Sequence, residues 1–426
     1  MKKRLAVIFL FHAFVSFNAS SQVLATLEVT VKKNTTSYRD ELAIPVKIDL
    51  DAITLLPDSV LQLVEIFGKT KTTIPYQVEY NDKRILNWII IPTINTKRIF
   101  QLIKGAPLKN STHIKAIANN VLLTISNNTK NLLQYNFKTI YPPTGIDTVY
   151  KRSGFIHPLW SPRGQELTRI NAPDHYHHWG LWNPWTQVLF EKDTVDFWNL
   201  AKKQGTVRFA NFIKTSSGNV FAGFKALHQH VVFKKEGGEK VAINEVQSVK
   251  IYQPANDQNY YIADITIQLN CATENPVMLL KYRYGGLGIR ATKEWEASNS
   301  EVITSEGKNR KEADGSTAKW CMVQGAVNKD HAGLIMMSYP TNYNYPEPLR
   351  VWPEDMNMRG DVFLNFSPTK NMDWLLLPGK EYLLKYRLLV FNDKFSKEKA
   401  EIAWQNFASP PAVTITLIKP TSTKIK

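Results

Sequence analysis

The chain has 426 residues, 43% of them hydrophobic and 21% charged, which suffices for a large core and two domains. Its formal net charge of +16 falls to +13 without Lys2, Lys3 and Arg4, and the excess is dispersed in pairs such as Lys32-Lys33, Lys83-Arg84, Lys97-Arg98 and Lys234-Lys235. Dispersed charge without a basic helix or groove motif excludes an ordinary nucleic-acid binder, while a positive field suits an anionic glycan.

Taken in chain order, Lys2, Lys3 and Arg4 precede an apolar run, Leu5 to Phe17, and then Asn18-Ala19-Ser20-Ser21, which reads as a signal peptide over residues 1–21. No cysteine follows the run, so the pattern is not that of a lipoprotein, and the run is shorter than the roughly 20 residues a spanning helix needs. An exported, periplasmic chain with no membrane span after processing is expected. Residues 22–140 read as a small β domain, because Leu27-Glu28-Val29-Thr30-Val31 alternates with period two and Val121 to Ile125 does so in part. A weaker pattern, Ser59 to Phe67, suggests a helix. Tyr141-Pro142-Pro143-Thr144-Gly145 breaks both helix and strand and marks the expected boundary. Residues 146–410 carry longer strand patterns, Val246 to Tyr252 and Tyr260 to Leu269, separated by turn residues as in a large antiparallel β-sandwich. Ser396 to Phe407 reads as a helix with Ser396 as N-cap, and residues 411–426 as a flexible basic tail. Cys271 and Cys321 both lie in apolar, strand-like stretches, where free buried thiols are expected.

The chemistry concentrates between Phe155 and Trp185. That stretch holds His157, His175, His177 and His178, half of the eight histidines that follow the signal segment. On a strand His175 and His177 share one face, with Asp174 and His178 on the other. Two imidazoles at that spacing offer a divalent metal two ligands, or divide the work of general base and hydrogen-bond donor. Asp174 would orient a neighbouring ring. Trp160, Trp179, Trp182, Trp185 and Trp198 crowd the same region and supply faces for sugar stacking or for a core. Tyr284-Gly285-Gly286-Leu287-Gly288-Ile289-Arg290-Ala291 lacks the strand-turn-helix context of a nucleotide fingerprint, so no nucleotide cofactor is expected; its glycines mark a bulge or a close backbone approach. Arg290 would hold a substrate carboxylate or hydroxyl, and Glu306, in Thr304-Ser305-Glu306-Gly307, would pair with a histidine as acid and base. His228-Gln229-His230 repeats the histidine spacing on a strand of its own, where the expectation is that the histidines simply lie on its polar face.

With these residues in place the chain resembles the PmoA-like family, labelled methane oxygenase, of exported Bacteroidota proteins. The likeness rests on Ser153-Gly154-Phe155-Ile156-His157-Pro158-Leu159, Pro162-Arg163-Gly164, Leu167-Thr168, Asp174 to Trp182, Val195-Asp196-Phe197-Trp198, Tyr284 to Ala291, Thr304 to Gly307 and Pro340-Thr341-Asn342. The label implies a copper oxygenase; the family's genomic company implies sugar catabolism on a supersandwich similar to galactose mutarotase. The leading expectation is a periplasmic hydrolase or lyase acting on a carbohydrate, the anionic kind included. His175, His177, His178, Asp174 and Glu306 would be catalytic, and His157, Arg290, Trp182, Trp198 and Asn342 would bind substrate. A metal would sit on His175 and His177. A non-catalytic glycan-binding protein is the alternative from another class.

Overall fold

The computed structural model describes residues 22–31, 42–92, 96–106, 108, 114–128, 130–252, 254 and 259–418. The expected signal segment, 1–21, and the end of the expected tail, 419–426, lie outside the described residues.

Period-two patterning builds the molecule as it should in a mainly β, antiparallel sandwich. One eight-stranded sheet runs Leu349–Val351, Phe363–Phe366, Gly288–Arg290, Leu181–Trp182, Phe155–Leu159, Lys130–Asn136, Leu122–Asn127 and Ile114–Ala118. A second runs Gly205–Ser216, Phe221–Phe233, Glu239–Tyr252, Tyr260–Cys271, Tyr382–Asn392, Asp330–Ser338, Trp320–Val327 and Ser300–Thr304. Ile156, Leu181, Ile289 and Leu364 of the first sheet enter one core with Phe224, Val249, Ile265 and Leu388 of the second. The sequence neighbours Phe155, Trp182 and Phe363 instead pack with Trp179, Trp198 and Trp352 on the first sheet's outer face. That outer cluster is the floor of the site.

The second sheet's outer face, including Phe221, Ile262, Ile335 and Leu389, is covered by the helix Lys397–Ala408 through Ala400, Ala403 and Phe407. Ser396 caps this helix by accepting from the Lys399 amide at 3.2 Å, as its sequence implied. Near the N-terminus a five-stranded and a three-stranded sheet enclose Leu27, Val29, Val46, Leu63, Trp88 and Phe100.

Three expectations change. Leu61–Phe67 is a strand between Thr70–Ile74 and Lys97–Lys104, because the pairing of the sheet overrides a pattern that suited either period. The strands from Ile114 to Asn136 join the site-bearing sheet, so Tyr141 to Gly145 is a loop between adjacent strands of one sheet. Ala412–Leu417, expected in a loose tail, pairs with Val23–Thr30 as an edge strand of the five-stranded sheet. Cys271 and Cys321 are free thiols. Among the described residues no helix is long and apolar enough to cross a membrane.

Candidate functional site

A short ribbon, Ile170–Ala172 paired with His175–Trp179, lies over the outer face of the first sheet. Its register shifts between Ile170 and Ala172, where Asn171 takes a positive φ, so strict alternation of side chains is lost. This is why His178 does not turn away from the others. The rings of His175, His177 and His178 stand 4.7–5.3 Å apart, centre to centre. His175 and His177 are half-buried, and His178 is fully buried against Trp182, Trp352 and Phe363.

Gly180 ends the ribbon. Its φ is +63°, and a Cβ there would meet the Ile156 carbonyl oxygen at 2.4 Å, so only glycine allows the close approach. Backbone bonds then lace the ribbon to the Arg290 strand: Gly180 N to Arg169 O, Arg169 N to Arg290 O, and Arg290 N to Gly180 O, all between 2.8 and 3.1 Å. The glycines before Arg290 serve the close packing their sequence suggested, since a Cβ on Gly288 would press on Phe363 and Trp198.

A polar network fixes one end of the cluster. His175 Nδ1 lies 2.7 Å from Asp174 Oδ2, which sets the proton on Nδ1 and leaves Nε2 with its lone pair. The same oxygen accepts from Arg290 Nη2 at 2.8 Å and Asn357 Nδ2 at 2.9 Å, and both donors also reach Asp361 Oδ2. Arg290 stacks on Trp352, its Cζ 4.4 Å from the ring centre. Burial alone would raise the Asp174 carboxyl; the His175 hydrogen bond and the Arg290 charge overcome it and hold it well below the usual carboxylate range. Burial pushes the His177 imidazole down to about 4, aided by the neighbouring His175, and holds His178 well below its ordinary value. Both rings are therefore neutral at pH 7, able to take a proton or bind an ion.

Several expected residues fall elsewhere. Glu306 is exposed on the loop after Ser300–Thr304 of the second sheet, where Ser305 donates to it, and among the described residues no hydrogen bond or ion pair joins it to a histidine. Trp182 and Trp198 are buried in the floor and present no face for a sugar; their role is to support His178. Asn342 is buried as well, bonded to Ser338, Glu347 and the Lys385 backbone around a Glu347 carboxyl that burial pushes up to about 7. Arg290 is 1% exposed and stands behind Asp174, so it positions that carboxylate. His157 is on the first sheet, held by Thr168 at 3.0 Å and pushed down to about 4 by burial.

Sequence reasoning missed Arg169, Trp352, Asn357 and Asp361, which complete the network. Their signal was faint: Gly360 takes a positive φ in a turn that brings Asn357 and Asp361 to Arg290, a pairing with a ribbon some 180 positions earlier. The cations open to solvent here are Arg169, 3.7 Å from Asp361, and Arg359, 3.3 Å from it.

The model of a family described as of unknown function, DUF6807, matches residues 123–405. The chain belongs to this family. That finding overturns the PmoA-like resemblance, for which no match occurs, and the copper-oxygenase implication goes with it. No curated protein matches this DUF6807 chain. Among solved structures it is similar to a protein of glycosyl hydrolase family 38 from Enterococcus faecalis, at 10% identity and a TM-score of 0.46, over 92% of this chain and 47% of that one. An alpha-mannosidase from Enterococcus faecalis V583 is similar at 10% identity and a TM-score of 0.44, over 92% and 46%. The heparan sulfate lyase HepC from Pedobacter heparinus follows at 8% identity and a TM-score of 0.32, over 69% and 38%. The DUF6807 chain thus spans about half the length of the first two. Likeness at this level transfers no activity.

Proposed function

We propose that this chain is a carbohydrate-active enzyme, a hydrolase or lyase, that works at the His175–His177–His178 face on a sugar derivative bearing a carboxylate. The observation that carries the reading is the meeting of three imidazoles, two of them held neutral, with a carboxylate–arginine network beside solvent-reachable cations. A neutral imidazole near a bound sugar can take the proton that hydrolysis or elimination must move. Asp174 orients His175, and Arg290, Asn357 and Asp361 hold Asp174. Arg169 and Arg359 are the groups to meet a uronate, since both are partly exposed guanidinium groups paired with Asp361 in the network behind His175. Lys2 to Arg4 and the apolar run after them support export of the mature chain.

The test is incubation of the full chain with neutral and uronate-bearing oligosaccharides, with product analysis, beside His177→Ala. Cleavage of acidic oligosaccharides that His177→Ala loses supports the reading. Binding without cleavage makes the protein a glycan binder, and neither binding nor cleavage overturns the carbohydrate assignment.

A further inference from the structure

We infer that His175, His177 and His178 together bind one divalent transition-metal ion, with Asp174 as the outer group that fixes His175 and with one coordination position open to solvent. The inference rests on the reading above for the place of the site and changes the part its rings play: imidazoles that ligate an ion do not take the substrate's proton, which a water or hydroxide at the open position would take instead.

The geometry begins with spacing. One ring nitrogen from each of the three histidines lies within 4.8 Å of the others. Tetrahedral coordination at ordinary metal–nitrogen lengths requires nitrogens about 3.4 Å apart. Binding therefore requires the half-buried His175 and His177 rings to turn toward the fixed His178 ring. Any two histidines at this spacing could be a coincidence of a polar ribbon; the third comes from the bulge that turns His178 inward.

A second observation is independent of spacing. His178 is 1% exposed, and its Nδ1 is buried with no hydrogen-bond partner. A buried ring nitrogen without a partner is costly, and proteins rarely keep one without a use. Around it, Phe363 has no polar side-chain atom, the Trp352 indole N–H is given to the Tyr284 hydroxyl, and the Trp182 indole N–H makes no hydrogen bond to the ring. An ion among the three rings gives one nitrogen of His178 a partner and leaves the aromatic floor dry.

The surroundings match those of a ligand that has been oriented in advance. Asp174 occupies Nδ1 of His175, so Nε2 is the free ligand atom, and Asp174 is in turn gripped by Arg290 and Asn357. Carboxylate support of this sort fixes the tautomer of a metal-binding histidine and strengthens its donation. Arg290 is balanced by Asp174 and Asp361, so its charge does not act alone on a cation. Three imidazoles without a carboxylate ligand select borderline ions such as Zn2+, Co2+, Ni2+ or Cu2+ over Mg2+ or Ca2+, which prefer oxygen. His175 and His177 are half-buried, so the fourth position faces outward, where a water or a sugar oxygen would bind.

The experiment uses the full chain, produced without a histidine tag, stripped with a chelator and titrated with Co2+ while its visible absorption is followed. The expected result is one ion per chain with the strong bands of low-coordinate cobalt, displaced by Zn2+. His175→Ala and His177→Ala should each lose the bands while circular dichroism stays that of the parent, and Asp174→Asn should weaken binding about 10–100-fold. Because His178→Ala removes a buried ring from the aromatic floor and so disturbs packing, the two half-buried positions carry the test. A folded parent that takes up neither ion, or bands that survive both alanine variants, overturns the proposal. The readout is separate from turnover: cobalt binding by a chain that neither binds nor cleaves any oligosaccharide keeps the metal site and sinks the carbohydrate reading.

Discussion

Two histidine pairs in this chain share one spacing and meet opposite fates. His175 and His177 sit on a two-stranded ribbon at the edge of solvent, with His178 beside them. His228 and His230 sit within the long strand Phe221–Phe233, and both side chains enter the interior of the sandwich. There they clamp Glu245 from both sides, His228 Nδ1 to Oε1 at 3.0 Å and His230 Nε2 to Oε2 at 2.9 Å, while Asn183 donates to Oε2. Tyr135 closes the far side of His228. Burial would raise the Glu245 carboxyl, but the two histidine bonds hold it far below its ordinary range. Spacing alone therefore says which side chains share a face. The position of the strand decides whether that face meets solvent or a partner in the core, and so whether the imidazoles stay open to a ligand or hold the fold.

The comparison can be broken first at the buried pair. Glu245→Gln leaves the histidines facing an amide and should cost about 3–5 kcal/mol, the toll of dismantling a buried ionic group from one side. Urea unfolding measures it, and a loss below about 1 kcal/mol would mean the clamp is dispensable. At the open pair the effect should move from stability to turnover. His177→Ala should lower the rate on an acidic oligosaccharide by about 10²–10⁴-fold, while stability stays within about 1 kcal/mol.

Gly180→Ala probes how the ribbon is held. It forces an alanine to a φ of +63° and against the Ile156 carbonyl, for a loss of about 1–3 kcal/mol together with turnover. If the variant keeps full activity, the ribbon does not need that corner. Acid offers a further contrast. His230 is held neutral by burial and Glu245 is held ionised, so both folded-state values lie below those of the unfolded chain. Each contributes stability that is present at neutral pH and is lost as pH falls, from about 6.5 downward for His230 and from about 4.5 for Glu245. Glu347 has the opposite sign: its raised carboxyl adds stability below 4.5 that is lost as pH rises through about 7. Melting temperature against pH is therefore best followed in Glu347→Gln, where a flat curve between pH 7 and 4 would contradict the clamp. The smallest effect belongs to Glu306→Gln, which should change turnover by less than about twofold, as a solvated surface carboxylate does.

Much of this was legible in the sequence. Alternation along Tyr260–Cys271 and Val23–Thr30 announced a β protein, and four histidines in one stretch announced the site. What stayed hidden depends on long-range placement. Nothing near Asn357 or Asp361 in the chain reveals that a turn brings them to Asp174 and Arg290. A tryptophan such as Trp182 reads the same whether its ring faces solvent or fills a floor, because one position along a two-residue strand sets the face. Glu306 looked apt because it follows a strand, yet it belongs to the opposite sheet.

The strand Ala412–Leu417 has one more consequence, and it concerns order in time. It covers the edge of Val23–Thr30, so among the described residues a strand made early is paired by one made late. Until then the early strand presents a row of unpaired amides and carbonyls, the kind of edge that recruits the wrong partner. Completion of that five-stranded sheet must therefore wait until Ala412–Leu417 has been made, and a protein shortened after Pro411 should aggregate through an edge that this strand keeps covered.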